Sequence, residues 1–173
     1  VIGCAGLGVL AARWIDEPEP VAYNSFGNGA AMRVSAAGWL ADEATAVAAL
    51  ADRITAITHD HPEGLKGARA TAHAIFRARQ GADADLSRTV DEIRPGYQFN
   101  ETCQQTVPEA LICALSATGF EDAIRNAISI GGDSDTVAAI AGSVAEPLFG
   151  IPPAIGAKDE DVNGWNKSLA GTA

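Results

Sequence analysis

From Ala30 onward, apolar positions recur at three- and four-residue spacing over most of the chain, the period of helices with one buried face. The run AAMRVSAAGWLA, starting at Ala30, predicts one helix, and DEATAVAALADRITAIT predicts a second with an acidic first turn. PEGLKGARATAHAIFRARQG starts on Pro62 and stops on Gly81, the asymmetry of a helix beginning and end. VPEALICALSAT, FEDAIRNAISI and DSDTVAAIAGSVAEPLFG predict three more helices. Between these groups, DADLSRTVDEIRPGYQFNETCQQT carries short helical signals, then Pro95-Gly96 and a polar stretch. It predicts a long surface connection, the kind of segment that carries binding residues. The opening VIGCAGLGVLAARWI reads as a packed helix, too short to span a bilayer and without the cationic start of a signal peptide. The last residues, 157–173, lose periodicity and predict a frayed tail. No internal repeat is found.

Composition narrows this to a single all-α domain over residues 1–173. With 47% hydrophobic residues in 173, there is enough material for one sizeable core. Eighteen glycines beside many alanines favour closely packed helices over sheets. A formal net charge of -10 argues against a nucleic-acid surface, which needs clustered Lys and Arg. Cys4, Cys103 and Cys113 form no C-x-x-C pair and leave an odd thiol, so neither a disulfide framework nor a zinc knuckle is expected. Cytoplasmic location, no membrane contact and a monomer are the corresponding expectations.

The stretch SIGGDSDTVAAIAG, residues 129–142, sets two carboxylates at the mouth of an apolar helix. Val137, Ala138, Ile140, Ala141, Val144, Ala145 and Leu148 cover nearly every direction of its wheel, as in a buried helix. Asp133 and Asp135 have an ordinary account as a cap and a dipole partner, each worth about 1 kcal/mol. Buried carboxylates also need a charge partner, and no Lys or Arg follows Arg125 before them. Two carboxylates and the Thr136 hydroxyl are hard oxygen donors of the kind magnesium takes. Convergence requires Asp133 to stand just outside the helix, where Gly131 and Gly132 give the backbone freedom.

Two further clusters stand out. In YNSFGNGAAMR, Gly27-Asn28-Gly29 predicts a tight turn feeding a helix, with backbone N–H groups free for a phosphate, or a plain helix start. Met32 occupies the place of a third glycine, so this is not the dinucleotide fingerprint. In ITHDHPEGLKGA, His59 and His61 precede Pro62 with no Cys or third His at zinc spacing, His73 being on a helix. His59 is expected to donate a hydrogen bond to a substrate or to sit at the helix start. No P-loop, G-x-S-x-G elbow or Cys-His signature supports nucleotide hydrolysis or Ser or Cys covalent chemistry.

The order FGNGAAMR, THDHPEG and GGDSDTVAAIAG resembles the ADP-ribosylglycohydrolase family, which includes the dinitrogenase reductase-activating glycohydrolases. The likeness extends from Tyr23 to Pro152 and takes in TVPEALICAL and FEDAIRNAISIGGDSDT. It implies a compact orthogonal all-α domain with paired Mg2+ ions in a cleft, removing ADP-ribose from a modified protein side chain or a small conjugate. By resemblance, Asp133, Asp135 and Thr136 are metal ligands. Gly27, Asn28 and Gly29 lie against ADP-ribose, and His59 contacts its ribose or phosphates. Paired metals would position the distal ribose, while a carboxylate assists leaving-group departure and water attack.

The family also carries an upstream Gly-Asp motif followed by Glu, and a Thr-Asp-Asp-Thr, and neither occurs here: IGCAGLG has the glycines without the acid. The expectation is therefore an N-terminally incomplete or shortened member, its acid/base carboxylate lying upstream. Asp42, Glu43, Asp16, Glu17 and Glu19 read as surface acids unable to substitute. A hydrolase is the leading reading, and a non-catalytic ADP-ribose-binding or regulatory domain is the alternative. A helical structural domain whose Asp pair is only a cap would bind no metal.

Overall fold

The computed structural model describes residues 13–83 and 85–156. Most of the opening apolar segment, with Cys4 and IGCAGLG, lies outside the described residues, as does the tail from 157, so the packed-helix and frayed-tail expectations fall there. Residues 13–16 are helical, and Asp16, Glu17 and Glu19 are exposed, as expected of surface acids.

The architecture is helical, and among the described residues the only strand-like pairing is an isolated antiparallel bridge between Gly27 and Thr102. The helices are α1 (Gly29–Met32), α2 (Ser35–Leu40), α3 (Ala44–Thr55), α4 (Pro62–Arg79), α5 (Val90–Ile93), α6 (Cys103–Leu115), α7 (Phe120–Ser129), α8 (Ser134–Phe149) and α9 (Pro153–Gly156). α4 is the hub: α1, α2 and α3 pack against it, as do α6 and α8, while α7 closes over α6 and α8. Small residues let these axes approach. A Cβ at Gly38 of α2 would stand 2.6 Å from the Ile75 Cβ of α4, and one at Gly67 of α4 would stand 2.6 Å from the Cys103 Cβ of α6. Ala68, Ala72, Ile75, Ala110, Cys113, Val137, Ile140, Ala141 and Val144 fill the shared core. Among the described residues, no helix is long and apolar enough to cross a membrane.

Three local expectations change. The run from Ala30 is two helices: Arg33 turns its Nε back to the Gly29 carbonyl (3.0 Å), and fully buried Val34 redirects the chain so that both helices face α4. Asp42 and Glu43 precede α3 instead of forming its first turn, and the Glu43 side chain makes no capping bond. α6 begins at Cys103, upstream of the expected Val107, and contains Pro108. The N–H that Pro108 lacks would have met the carbonyl of Gln104, an exposed residue whose carbonyl can take water instead.

α4 behaves as its ends suggest. His61 is its N-cap, with Nδ1 accepting the Glu63 N–H at 3.1 Å, Pro62 opens it, and Gly81 follows at φ +67°. In α8 the buried positions include Val137, Ile140, Ala141, Val144 and Ala145, but Ala138 and Leu148 are only partly covered and Ala139 is exposed. The helix is therefore buried on most sides and not all.

Candidate functional site

Asp133 stands immediately before α8 with φ -82° and ψ 58°, outside the helix, after Gly131 at φ +74° and Gly132 at φ +64°. Gly132 is also required by proximity. A Cβ there would lie 2.6 Å from Tyr97 Cε1 and 2.9 Å from the carbonyl carbon of Gln98. The loop before α6 thus packs directly on the turn that presents Asp133.

The capping account of Asp133 does not hold, because its side chain makes no capping bond to α8. The carboxylate, in a residue only 8% exposed, instead accepts Asn28 Nδ2 at 2.7 Å through Oδ2. Asn28, 5% exposed, is itself fixed: Nδ2 also faces Thr106 Oγ1 at 3.1 Å and the Asn100 carbonyl at 3.2 Å. Thr106 Oγ1 in turn donates to the same carbonyl at 3.0 Å. Burial raises the Asp133 carboxyl above the usual range; Asn28 opposes that shift, the neighbouring Asp135 carboxylate adds to it, and the Thr136 hydroxyl opposes it. The Asp135 carboxylate and the Thr136 hydroxyl are thus near enough to act on the Asp133 carboxyl. Asp135 is exposed in the first turn of α8, and Thr136 is buried.

This donor set suits a hard cation. Magnesium is commonly held by one or two carboxylates, with waters and substrate phosphates completing its shell. A cation would also relieve the repulsion between Asp133 and Asp135. Among the described residues, no group of three or more His, Cys, Asp and Glu gathers as a metal cluster.

Two of the N–H groups of the Gly27-Asn28-Gly29 segment already have acceptors within the protein. Asn28 N–H donates to the Glu101 carbonyl at 2.8 Å, and Gly27 N–H to Ser25 Oγ at 3.2 Å. The turn is tied to the α6 side by the Asn28 bond to Glu101 and by the Gly27 bridge to Thr102, and its contribution to the Asp133 site is the Asn28 side chain. A Cβ at Gly29 would fit at ordinary van der Waals contact with Arg33 Nη2 and His59 Nε2, each at 3.6 Å, and His59 Cε1 at 3.9 Å.

His59, 3% exposed, follows α3 and is not the helix start, a role taken by His61. Its Nδ1 lies 2.7 Å from Thr58 Oγ1 and 3.4 Å from Arg33 Nη2, and its Nε2 is buried without a hydrogen-bond partner. Burial, then the Arg33 charge, lowers its pKa to about 4, with Asp60 acting the other way. The ring is uncharged at neutral pH. His73 is half-buried on α4 and takes no part in this cluster.

Sequence reasoning missed Thr106, Asn100, Tyr97, Thr58 and Arg33. The polar loop 97–100 lies in the segment expected to carry binding residues, and Arg33, Thr58 and Thr106 stand within FGNGAAMR, THDHPEG and TVPEALICAL, stretches that carry the family resemblance. Outside that loop lies a cleft of about 550 Å³, lined among others by Tyr97, Phe99, Asn100, Gln104 and Pro108. Neither Asp133 nor His59 lines it. Cys103 and Cys113 are buried, and burial pushes their thiols to about 11 and about 12, so neither is a poised nucleophile.

Comparison with known proteins adds three findings. The family model of ADP-ribosylglycohydrolase matches residues 3–152. A solved structure described as an ADP-ribosylglycohydrolase-related protein complex superposes with a TM-score of 0.62 at 23% identity, which establishes a shared fold. The likeness covers 87% of this chain and 61% of that one, so the chain spans less than two thirds of its length. No curated protein matches.

Proposed function

The chain belongs to the ADP-ribosylglycohydrolase family, and on that premise we propose that it is a magnesium-dependent hydrolase releasing ADP-ribose from a modified side chain or a small conjugate. The observation that carries the reading is Asp133: a buried carboxylate that caps nothing, held by Asn28, with Asp135 and Thr136 beside it. Asp133, Asp135 and Thr136 would hold the magnesium. Bound there, it supplies Lewis acidity and counters the anionic charge of the ligand.

The chain's own residues do the rest by positioning. Asn28, itself held by Thr106, fixes the Asp133 carboxylate. Gly29 leaves room beside His59, where a ligand oxygen would find a neutral donor. An ADP-ribosylated protein or small ADP-ribose conjugate is the partner, acted on by a monomer in the cytoplasm with no nucleic acid or membrane involved.

One observation favours a second reading, an ADP-ribose-binding domain without turnover: among the described residues, no third acidic, His or Cys group joins Asp133 and Asp135. Release of ADP-ribose from an ADP-ribosylated peptide, followed with magnesium and with excess chelator, tests both. Magnesium-dependent release supports the hydrolase, ADP-ribose binding without release supports the binding domain, and neither binding nor release overturns both.

A further inference from the structure

Arg33, Thr58 and His59 form a unit that the metal site does not explain. Arg33 reaches from the end of α1 to the segment after α3. Its Nε donates to the Gly29 carbonyl at 3.0 Å and its Nη1 to Thr58 Oγ1 at 2.8 Å. A guanidinium carries only donors and keeps its charge. Thr58 Oγ1 is therefore an acceptor toward Arg33, leaving its one hydroxyl proton for His59 Nδ1 at 2.7 Å. Arg33 Nη2, 3.4 Å from the same nitrogen, also presents a proton to it. A proton on Nδ1 would face the guanidinium and leave the Thr58 hydroxyl proton without that acceptor. These contacts favour the ring proton on Nε2.

Nε2 is the nitrogen left without a partner in a ring that is 3% exposed. An unmet buried donor is costly, and an acceptor oxygen reaching Nε2 would satisfy it. The Cβ position that Gly29 lacks lies 3.6 Å from both Nε2 and Arg33 Nη2, so two donors border one small space. We propose that Thr58 and Arg33 are positioning residues that hold His59 in its Nε2–H tautomer, so that the ring donates to an acceptor oxygen of the ligand, phosphoryl or hydroxyl, seated over Gly29.

The oxygen-bearing ligand rests on the proposed function, whereas the tautomer does not. Burial and Arg33 keep the ring uncharged, so it contributes a directed hydrogen bond and no charge of its own. A ligand offering an amine at that place would meet donors only and be rejected.

The test is long-range 1H–15N correlation NMR on the 15N-histidine-labelled full chain without ligand, followed by titration with ADP-ribose. We expect His59 to carry its proton on Nε2 in the parent and in Thr58→Ser. Thr58→Val should shift the population toward Nδ1–H and weaken ADP-ribose binding at least about tenfold, with Thr58→Ser restoring both. Arg33→Met is the second variant, expected to raise the His59 pKa and loosen the tautomer. A parent His59 with its proton on Nδ1, or a tautomer unmoved in both Thr58→Val and Arg33→Met, overturns the inference. The expected tautomer in a parent that fails to bind ADP-ribose overturns the function proposed for the site and the seated oxygen, while upholding the tautomer. Binding of ADP-ribose that leaves the Nε2 signal unchanged overturns the seated oxygen alone.

Discussion

Replacing Gly132 by Ala should damage the protein far more than replacing Gly131, although the two are adjacent and both left-handed, at φ +64° and +74°. At Gly131 a Cβ would meet nothing within 4 Å, so Gly131→Ala bears only the backbone cost of a left-handed alanine, about 1–2 kcal/mol. At Gly132 the same Cβ would lie 2.6 Å from Tyr97 Cε1, 2.9 Å from Tyr97 Cδ1 and 2.9 Å from the backbone carbon of Gln98. A ring packed against the turn and a main-chain atom cannot yield as the tip of a flexible side chain would. Overpacking adds about 1–3 kcal/mol, giving about 2–5 kcal/mol in all for Gly132→Ala. Urea unfolding followed by far-UV circular dichroism measures both variants on one scale. Equal losses in the two would refute the reasoning that the loop before α6 packs on the turn carrying Asp133.

Other expectations follow from the same contacts. Asn28→Ala removes the amide donor to buried Asp133 and should destabilise the fold by about 1–3 kcal/mol in urea unfolding without magnesium. His59 has a pKa lowered to about 4, by burial and Arg33 against Asp60, so the unfolded chain binds more protons than the folded one between its ordinary value and pH 4. Stability should therefore fall as pH falls from about 6.5 to 4, by up to about 3 kcal/mol, and His59→Gln should lack this loss when compared with the parent over that range. Asp16, Glu17 and Glu19 are exposed, and replacing all three by Ala should leave magnesium affinity unchanged in a calorimetric titration.

The helices were largely legible because apolar spacing repeats over enough residues to define a buried face, and α4 announced both its ends through Pro62 and Gly81. The same logic failed at Arg33–Val34, where the run stays helical in composition but the chain must bend for Ala30, Ala31 and Ala37 all to be buried. At the site, the position of Asp133 outside α8 and the left-handed glycines before it followed from local chemistry. Its partners did not. Asn28 meets Asp133 across 105 residues, and Thr106 meets Asn28 across 78, separations at which a single sequence carries no pairing signal. The acceptor that takes the Asn28 N–H was illegible for the same reason: Glu101, which supplies it, is distant in the chain.

The central claim is that Asp133 and Asp135 are there to hold a cation. Calorimetric titration of magnesium into the chain, in the presence of ADP-ribose, addresses it directly for the parent, Asp133→Asn and Asp135→Asn. The account predicts saturable binding by the parent that each substitution weakens at least about tenfold, about 1.4 kcal/mol. Affinity unchanged in both variants, or no binding by the parent, would contradict it.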